Sequence, residues 1–140
     1  MNQHLHIITL GVGDLDKSRK FYAETLGWQQ SSPQEGIAFF QAGGVVLALF
    51  PREGLAKDAL VPSEGAGFAG FSLAYNAQSE TEVDEIIHDL SSKGVKILKQ
   101  PQRVFWGGYS SYFADPDGYC WEVAYNPFFP FDEQGNLRLS

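Results

Sequence analysis

The sequence predicts an α+β fold of two tandem βαβββ modules, about 4–60 and about 67–126, with a tail at 127–140, all within one domain spanning 1–140. Three observations carry this expectation. Each half opens with a strand-patterned stretch that runs into an amphipathic helix. Each half then closes on strands joined by a glycine-bearing turn, Gly43-Gly44 in the first and Asp117-Gly118 in the second. A chain of 140 residues is also the length of one ordinary domain.

Residues 4–12 read as the first strand, with β-branched Ile7, Ile8, Thr9 and Val12. Asp14 is a suitable N-cap, and Asp16 belongs in a first helical turn. Leu15, Ser18, Tyr22 and Leu26 recur at helical spacing beside Phe21, and Gly27 is placed to cap the C-terminus. Strands are expected near 28–32, 36–41 and 44–50, with Pro51 ending the last. Residues 52–66 hold a short helix and then a linker around Pro62 and Gly65.

The pattern repeats from residue 67. A strand over 67–76 leads to a helix starting near Ser79, striped by Val83, Ile86, Ile87 and Leu90 and ended by Gly94. Strands follow near 95–99, 109–114 and 119–125. Asp115-Pro116-Asp117-Gly118 is a tight turn in which proline presets one φ and glycine supplies a positive one, so it closes a hairpin. The tail, with Phe128, Phe129 and Phe131, is too apolar to hang free and is expected to pack on this chain or on a partner.

Composition narrows the function classes. The net charge of −7 argues against nucleic acid, whose phosphates need a concentrated Lys/Arg face. No apolar run approaches the roughly 20 residues that span a bilayer, and the N-terminus lacks a signal-peptide pattern. Cys120 is the single cysteine, so no internal disulfide forms. These features fit a cytoplasmic protein with neither nucleic-acid nor membrane partners.

Glu122 stands alone as a charge inside the apolar strand after the turn. The combination of an opening strand, the run from Asp14-Leu15 through Ser18 and Phe21-Tyr22 to Leu26-Gly27-Trp28, and the late Asp115-Pro116-Asp117-Gly118 with Glu122 resembles the vicinal oxygen chelate superfamily. That superfamily includes glyoxalase I, bleomycin-binding resistance proteins, fosfomycin-resistance enzymes and extradiol dioxygenases. The resemblance covers nearly all of residues 4–126. It implies curved mixed sheets around a concave cleft, a homodimer with clefts within or between chains, and, in metal-dependent members, four His or Glu ligands. The corresponding positions here are Ile7, Ala48, Phe71 and Glu122, of which only Glu122 can donate to a metal. The expectation is therefore no metal and no cofactor. His4 and His6 share a strand face, and His-x-His on a strand can chelate a metal, but alternation directs that face away from the cleft, towards helix packing or a frayed strand start, unless a β-bulge reverses it. His88 lies off the apolar stripe of its helix.

Strand alternation lines the implied cleft with Leu5, Ile7, Thr9, Val46, Ala48, Phe50, Ala69, Phe71, Leu73, Cys120, Glu122 and Ala124, an apolar pocket with one carboxylate. Such pockets suit small organic ligands. Glu122 is the candidate acid or base, or the holder of a ligand's amine; alternatively it is a structural partner of Arg52, Arg103, Ser111 or Tyr112. The loop 102–113 adds Trp106 and Tyr109 as rim candidates beside Gly107-Gly108, with Ser111 near Glu122. Two functions follow. The first is a glyoxalase/bleomycin-resistance-like protein binding a small organic molecule without metal. The alternative is a lyase or isomerase of the glyoxalase I type using Glu122; a dioxygenase lacks its iron ligands.

Overall fold

Two helices each cover one face of a sheet, and that burial organises the chain into two units, Met1–Gly67 and Phe68–Ser140. The computed structural model describes all residues of 1–140 except Asn2, His4, Ser32, Gly70 and Ser140. The question raised over His4 thus lies outside the described residues.

In the first unit, β1 (Ile7–Val12) leads to α1 (Leu15–Lys20). Asp14 caps α1 by accepting from the Lys17 amide at 3.0 Å, and Asp16 pairs with Arg19 one turn on. The expected single helix changes character at its end. Phe21–Thr25 is a π-helical turn, closed by the Leu26 amide donating to the Phe21 carbonyl at 3.0 Å. The wider turn narrows the angle between consecutive side chains, and adjacent Phe21 and Tyr22 are both buried. Gly27 then takes a φ of 74°, as a C-terminal cap requires.

β2 (Ala38–Ala42) and β3 (Val45–Pro51) complete a three-stranded sheet ordered β1-β3-β2. β1 and β3 are parallel, and β2 and β3 antiparallel across the Gly43-Gly44 turn. Leu10, Val12, Leu47, Leu49, Ala38 and Phe40 are buried with Tyr22, whose ring lies 5.9 Å from those of Trp28 and Phe40. The strand expected over 28–32 is not built in the described residues of that range. Among the described residues of that stretch, pairing is limited to the Gln30–Phe40 bridge and the Ser31 amide bonded to the Phe39 carbonyl. Pro33 follows at once and has no amide to extend a ladder. α2 (Arg52–Asp58) follows β3 directly.

The second unit is a complete βαβββ module: β4 (Leu73–Ala77), α3 (Glu80–Ser92), β5 (Ile97–Arg103), β6 (Tyr109–Ala114) and β7 (Cys120–Tyr125). Its order is β4-β7-β6-β5, with β4 parallel to β7 and the rest antiparallel. Ser79 caps α3 through the Glu82 amide at 3.0 Å, and Gly94 ends it with a φ of 80°. Val83, Ile87 and Leu90 are buried, as are Val123, Phe113 and Trp121; the last two rings stack at 6.0 Å. β4 begins later than expected, and β5 runs further, with register shifts between Lys99 and Gln102 that accommodate Pro101.

The tail folds into a small hairpin. Phe131 bridges Leu137, and Asp132 gathers the Gln134 and Asn136 amides and the Arg138 guanidinium. Phe131 is half-buried, but Phe128 is 74% exposed, so packing on its own sheet does not extend to that ring. Among the described residues no helix is long and apolar enough to cross a membrane.

Candidate functional site

The turn that opened the second hairpin also places the candidate carboxylate. Gly118 has a φ of 85° and donates its amide to the Asp115 carbonyl at 3.0 Å. The Asp115 side chain, buried, accepts from the Asp117 and Tyr119 amides. This fixes the β6–β7 register, so Glu122 stands opposite Tyr112 and Ala124 opposite Ser110. The Ser110 hydroxyl donates to Glu122 Oε2 at 2.7 Å. Burial, and then the negative charge of Glu122, hold the Tyr112 phenol above its ordinary pKa of 10.0.

Several expected neighbours lie elsewhere. Ser111 is fully buried on the opposite face, where its hydroxyl donates to the Val123 carbonyl at 2.7 Å; Ser110 takes the place assigned to it. Strand alternation explains the exchange, since Ser110 and Tyr112 share a face that Ser111 does not. Tyr109 also alternates away from Glu122, and its hydroxyl donates to Asp84 on α3 at 2.7 Å. That bond comes first among the causes raising the Tyr109 pKa. Leu73 pairs with Trp121, while Ala74 pairs with Glu122. Extending that register outward brings Ser72, rather than Phe71, to the Glu122 face. Phe71 is 41% exposed, with its ring 5.7 Å from that of Tyr119. Neither Arg52 nor Arg103 pairs with Glu122: Arg52 donates to the Ser63 carbonyl and Arg103 meets Glu80. Cys120 is half-buried on the Glu122 face. The surroundings of Glu122 are thus more polar than alternation alone suggested.

The apolar face belongs to the first unit. The β1–β3 register pairs Ile7 with Val46, Thr9 with Ala48 and Gly11 with Phe50, setting these residues on the face opposite the α1 core. α2 lies close against one end of it. A Cβ on Gly11 would stand 3.1 Å from Arg52 Cα, and one on Gly54 3.0 Å from the Phe50 ring. A groove of about 680 Å³ follows, lined by Thr9, Ile37, Phe50, Leu55, Lys57 and Asp58 among others. That volume is ample for a small organic ligand. Ala48 is buried and Ile7 is 51% exposed.

Trp106 does not project freely from its loop. Its ring occupies the space a Cβ on Gly108 would need, while Phe105 is fully exposed beside it. Gly107 has a φ of 89°, and a Cβ there would stand 3.1 Å from the Phe128 ring, closer than ordinary contact. The two glycines therefore serve close packing of Trp106 and Phe128 against the loop backbone.

The donor set does not fit a transition metal. Ile7 and Ala48 have no lone pair to give, and a neutral Ser72 hydroxyl is a poor ligand for a borderline divalent ion. Glu122 is already engaged by the Ser110 hydroxyl. His6 precedes β1, with its carbonyl bonded to the Val46 amide, and His88 is exposed on α3. Among the described residues no three His, Cys, Asp or Glu side chains gather as a metal site.

Comparison with known proteins adds the family context. The profile of the glyoxalase/bleomycin resistance protein/dioxygenase superfamily matches residues 4–123. The chain is 30% identical over 123 residues to the metallothiol transferase FosB of Staphylococcus saprophyticus, covering 88% of this chain and 77% of that protein. A glyoxalase-related enzyme from Fulvimarina pelagi superposes with a TM-score of 0.89 at 35% identity, over 99% of both chains. A lactoylglutathione lyase from Agrobacterium tumefaciens superposes with a TM-score of 0.71 at 26% identity, over 89% of this chain and 95% of that one.

Proposed function

The chain belongs to the glyoxalase/bleomycin resistance protein/dioxygenase superfamily, and from that premise we propose that it binds a small organic molecule without a transition-metal centre. The observation that carries this reading is the side chains standing where metal-dependent members place ligands. Ile7 and Ala48 are hydrocarbon, the third position offers Phe71 by sequence count or Ser72 by strand register, and Glu122 accepts a hydrogen bond from Ser110. The groove beside Phe50 supplies the apolar contact area that a small ligand needs. A homodimer belongs to the same proposal, supported by the exposed aromatic side chains of Phe105 and Phe128. So does a cytoplasmic location, supported by a single unpaired cysteine.

The test is a thermal-shift screen of a small-molecule library on protein stripped of metal by a chelator. Stabilising compounds should keep their effect after stripping, and Phe50→Ala should weaken those that occupy the groove. Stabilisation that returns only when a divalent cation is restored would overturn the reading. Turnover of a stabilising compound by stripped protein, lost in Glu122→Gln, would favour a metal-independent lyase or isomerase instead.

A further inference from the structure

The first unit carries a second pocket, of about 430 Å³, lined by Trp28, Gln29, Gln30, Ser31 and Gln41. It shares no lining residue with the groove beside Phe50. The rings of Tyr22 and Phe40, both fully buried, lie 5.9 and 6.4 Å from the Trp28 indole and hold it against the core. Gly27 turns the chain into this segment with its φ of 74°. The Gln30–Phe40 bridge and the Ser31 amide, bonded to the Phe39 carbonyl at 2.9 Å, then lay the segment along β2. Counting one place along from that antiparallel bridge sets Gln29 opposite Gln41.

Among the described residues no charged side chain lines the pocket. Its polar groups are three primary amides and a hydroxyl, each able both to donate and to accept. Gln41 Nε2 donates to the Gly43 carbonyl at 2.7 Å, which orients the amide and leaves its oxygen to accept. The side chains of Gln29, Gln30 and Ser31 make no hydrogen bond to another described residue. Such a set suits a neutral ligand whose own groups donate and accept. An ion would shed water there without meeting a counter-charge. The indole adds an apolar wall with an electron-rich face, which attracts polarised C–H bonds. A sugar ring has both complements, hydroxyls around its rim and C–H bonds across its faces. The volume lies in the usual range for small-molecule sites.

We propose that this pocket binds a neutral saccharide, with Trp28 as the apolar wall and the Gln29, Gln30 and Gln41 amides as the hydrogen-bonding rim. The assignment goes beyond the metal-free reading above and uses none of its residues.

The methyl glycosides of glucose, galactose, mannose and N-acetylglucosamine test it, each titrated to tens of millimolar into isotope-labelled protein. At least one should move the Trp28 indole N–H and the Gln30 and Gln41 amide resonances saturably, and leave those of Phe50 and Leu55 unmoved. Gln30→Ala and Gln41→Ala should each weaken that glycoside about three- to tenfold, the usual worth of one hydrogen bond. Trp28→Ala should abolish the response. If that variant does not fold, the glutamine variants still decide, because Gln41 is exposed and Gln30 holds its bridge through the backbone. The methyl glycoside of glucuronic acid, which adds a carboxylate, should bind more weakly than its glucose counterpart. The proposal is overturned if no glycoside moves these resonances, or if affinity is unchanged in both glutamine variants. Equal or tighter binding of the glucuronide would also overturn it.

Discussion

The Ser110 hydroxyl reaches Glu122 Oε2 at 2.7 Å from the strand on the other side of the Asp115–Gly118 turn, diagonal to it in the ladder. Turn and carboxylate are therefore one device: the turn sets the register, and the register brings a buried donor beneath the charge.

Removing that donor tests the device. Ser110→Ala should cost about 1 kcal/mol, the usual net value of one hydrogen bond, because Glu122 is only half-buried and water can replace the hydroxyl. Denaturant unfolding checks this. A loss several times larger would mean that Glu122 depends on Ser110 for the fold itself.

Tyr112 reports on the same carboxylate. Its phenol should ionise above pH 10.0, because burial and the Glu122 charge both oppose phenolate. With the folded pKa raised, its stabilising contribution is complete below the unfolded value of 10.0 and is lost as pH rises through the folded one. The difference in phenolate absorbance between wild type and Tyr112→Phe isolates this group. Glu122→Gln should bring its titration back towards 10.0, leaving the share due to burial.

Gly108 is held free of a side chain by Trp106. Gly108→Ala must push the indole ring from its place, since ring and Cβ cannot share that volume. Tryptophan emission should shift to the red as the ring enters solvent, with the signals of Trp28 and Trp121 unchanged. An unaltered spectrum would show that Trp106 does not rest on Gly108.

Leu60 carries an avoidable strain. It follows α2 with a φ of 59°, in the left-handed region that favours glycine, and its side chain is 91% exposed. Leu60→Gly should stabilise the protein by roughly 0.5–1 kcal/mol, less than the full relief because glycine also frees the unfolded chain. A fall in the unfolding midpoint would mean that Leu60 makes a contact in an assembly.

Much of the fold was legible because its signals are local. Asp14, Ser79, Gly27, Gly94 and the Asp115–Gly118 turn each act through their own backbone, and each stands where its chemistry requires. The site was less legible because it depends on register. Counting outward by twos from Tyr112 across the hairpin reaches Ser110, and the expectation of Ser111 broke that alternation. The one-residue offset at Phe71 has a different origin. β4 pairs in parallel with β7, and no turn in the sequence fixes a parallel register. The π-helical turn at Phe21–Thr25 buries adjacent Phe21 and Tyr22, which helical periodicity does not carry.

On the metal-free reading, Ile7, Ala48 and the residues at the third position leave Glu122 without partners for a metal. Elemental analysis of protein purified without affinity tags, after growth with added zinc, manganese and ferrous iron, tests this most directly. Far less than one equivalent of any of them per chain is expected. One equivalent of a single metal, lost in Glu122→Gln, would contradict it.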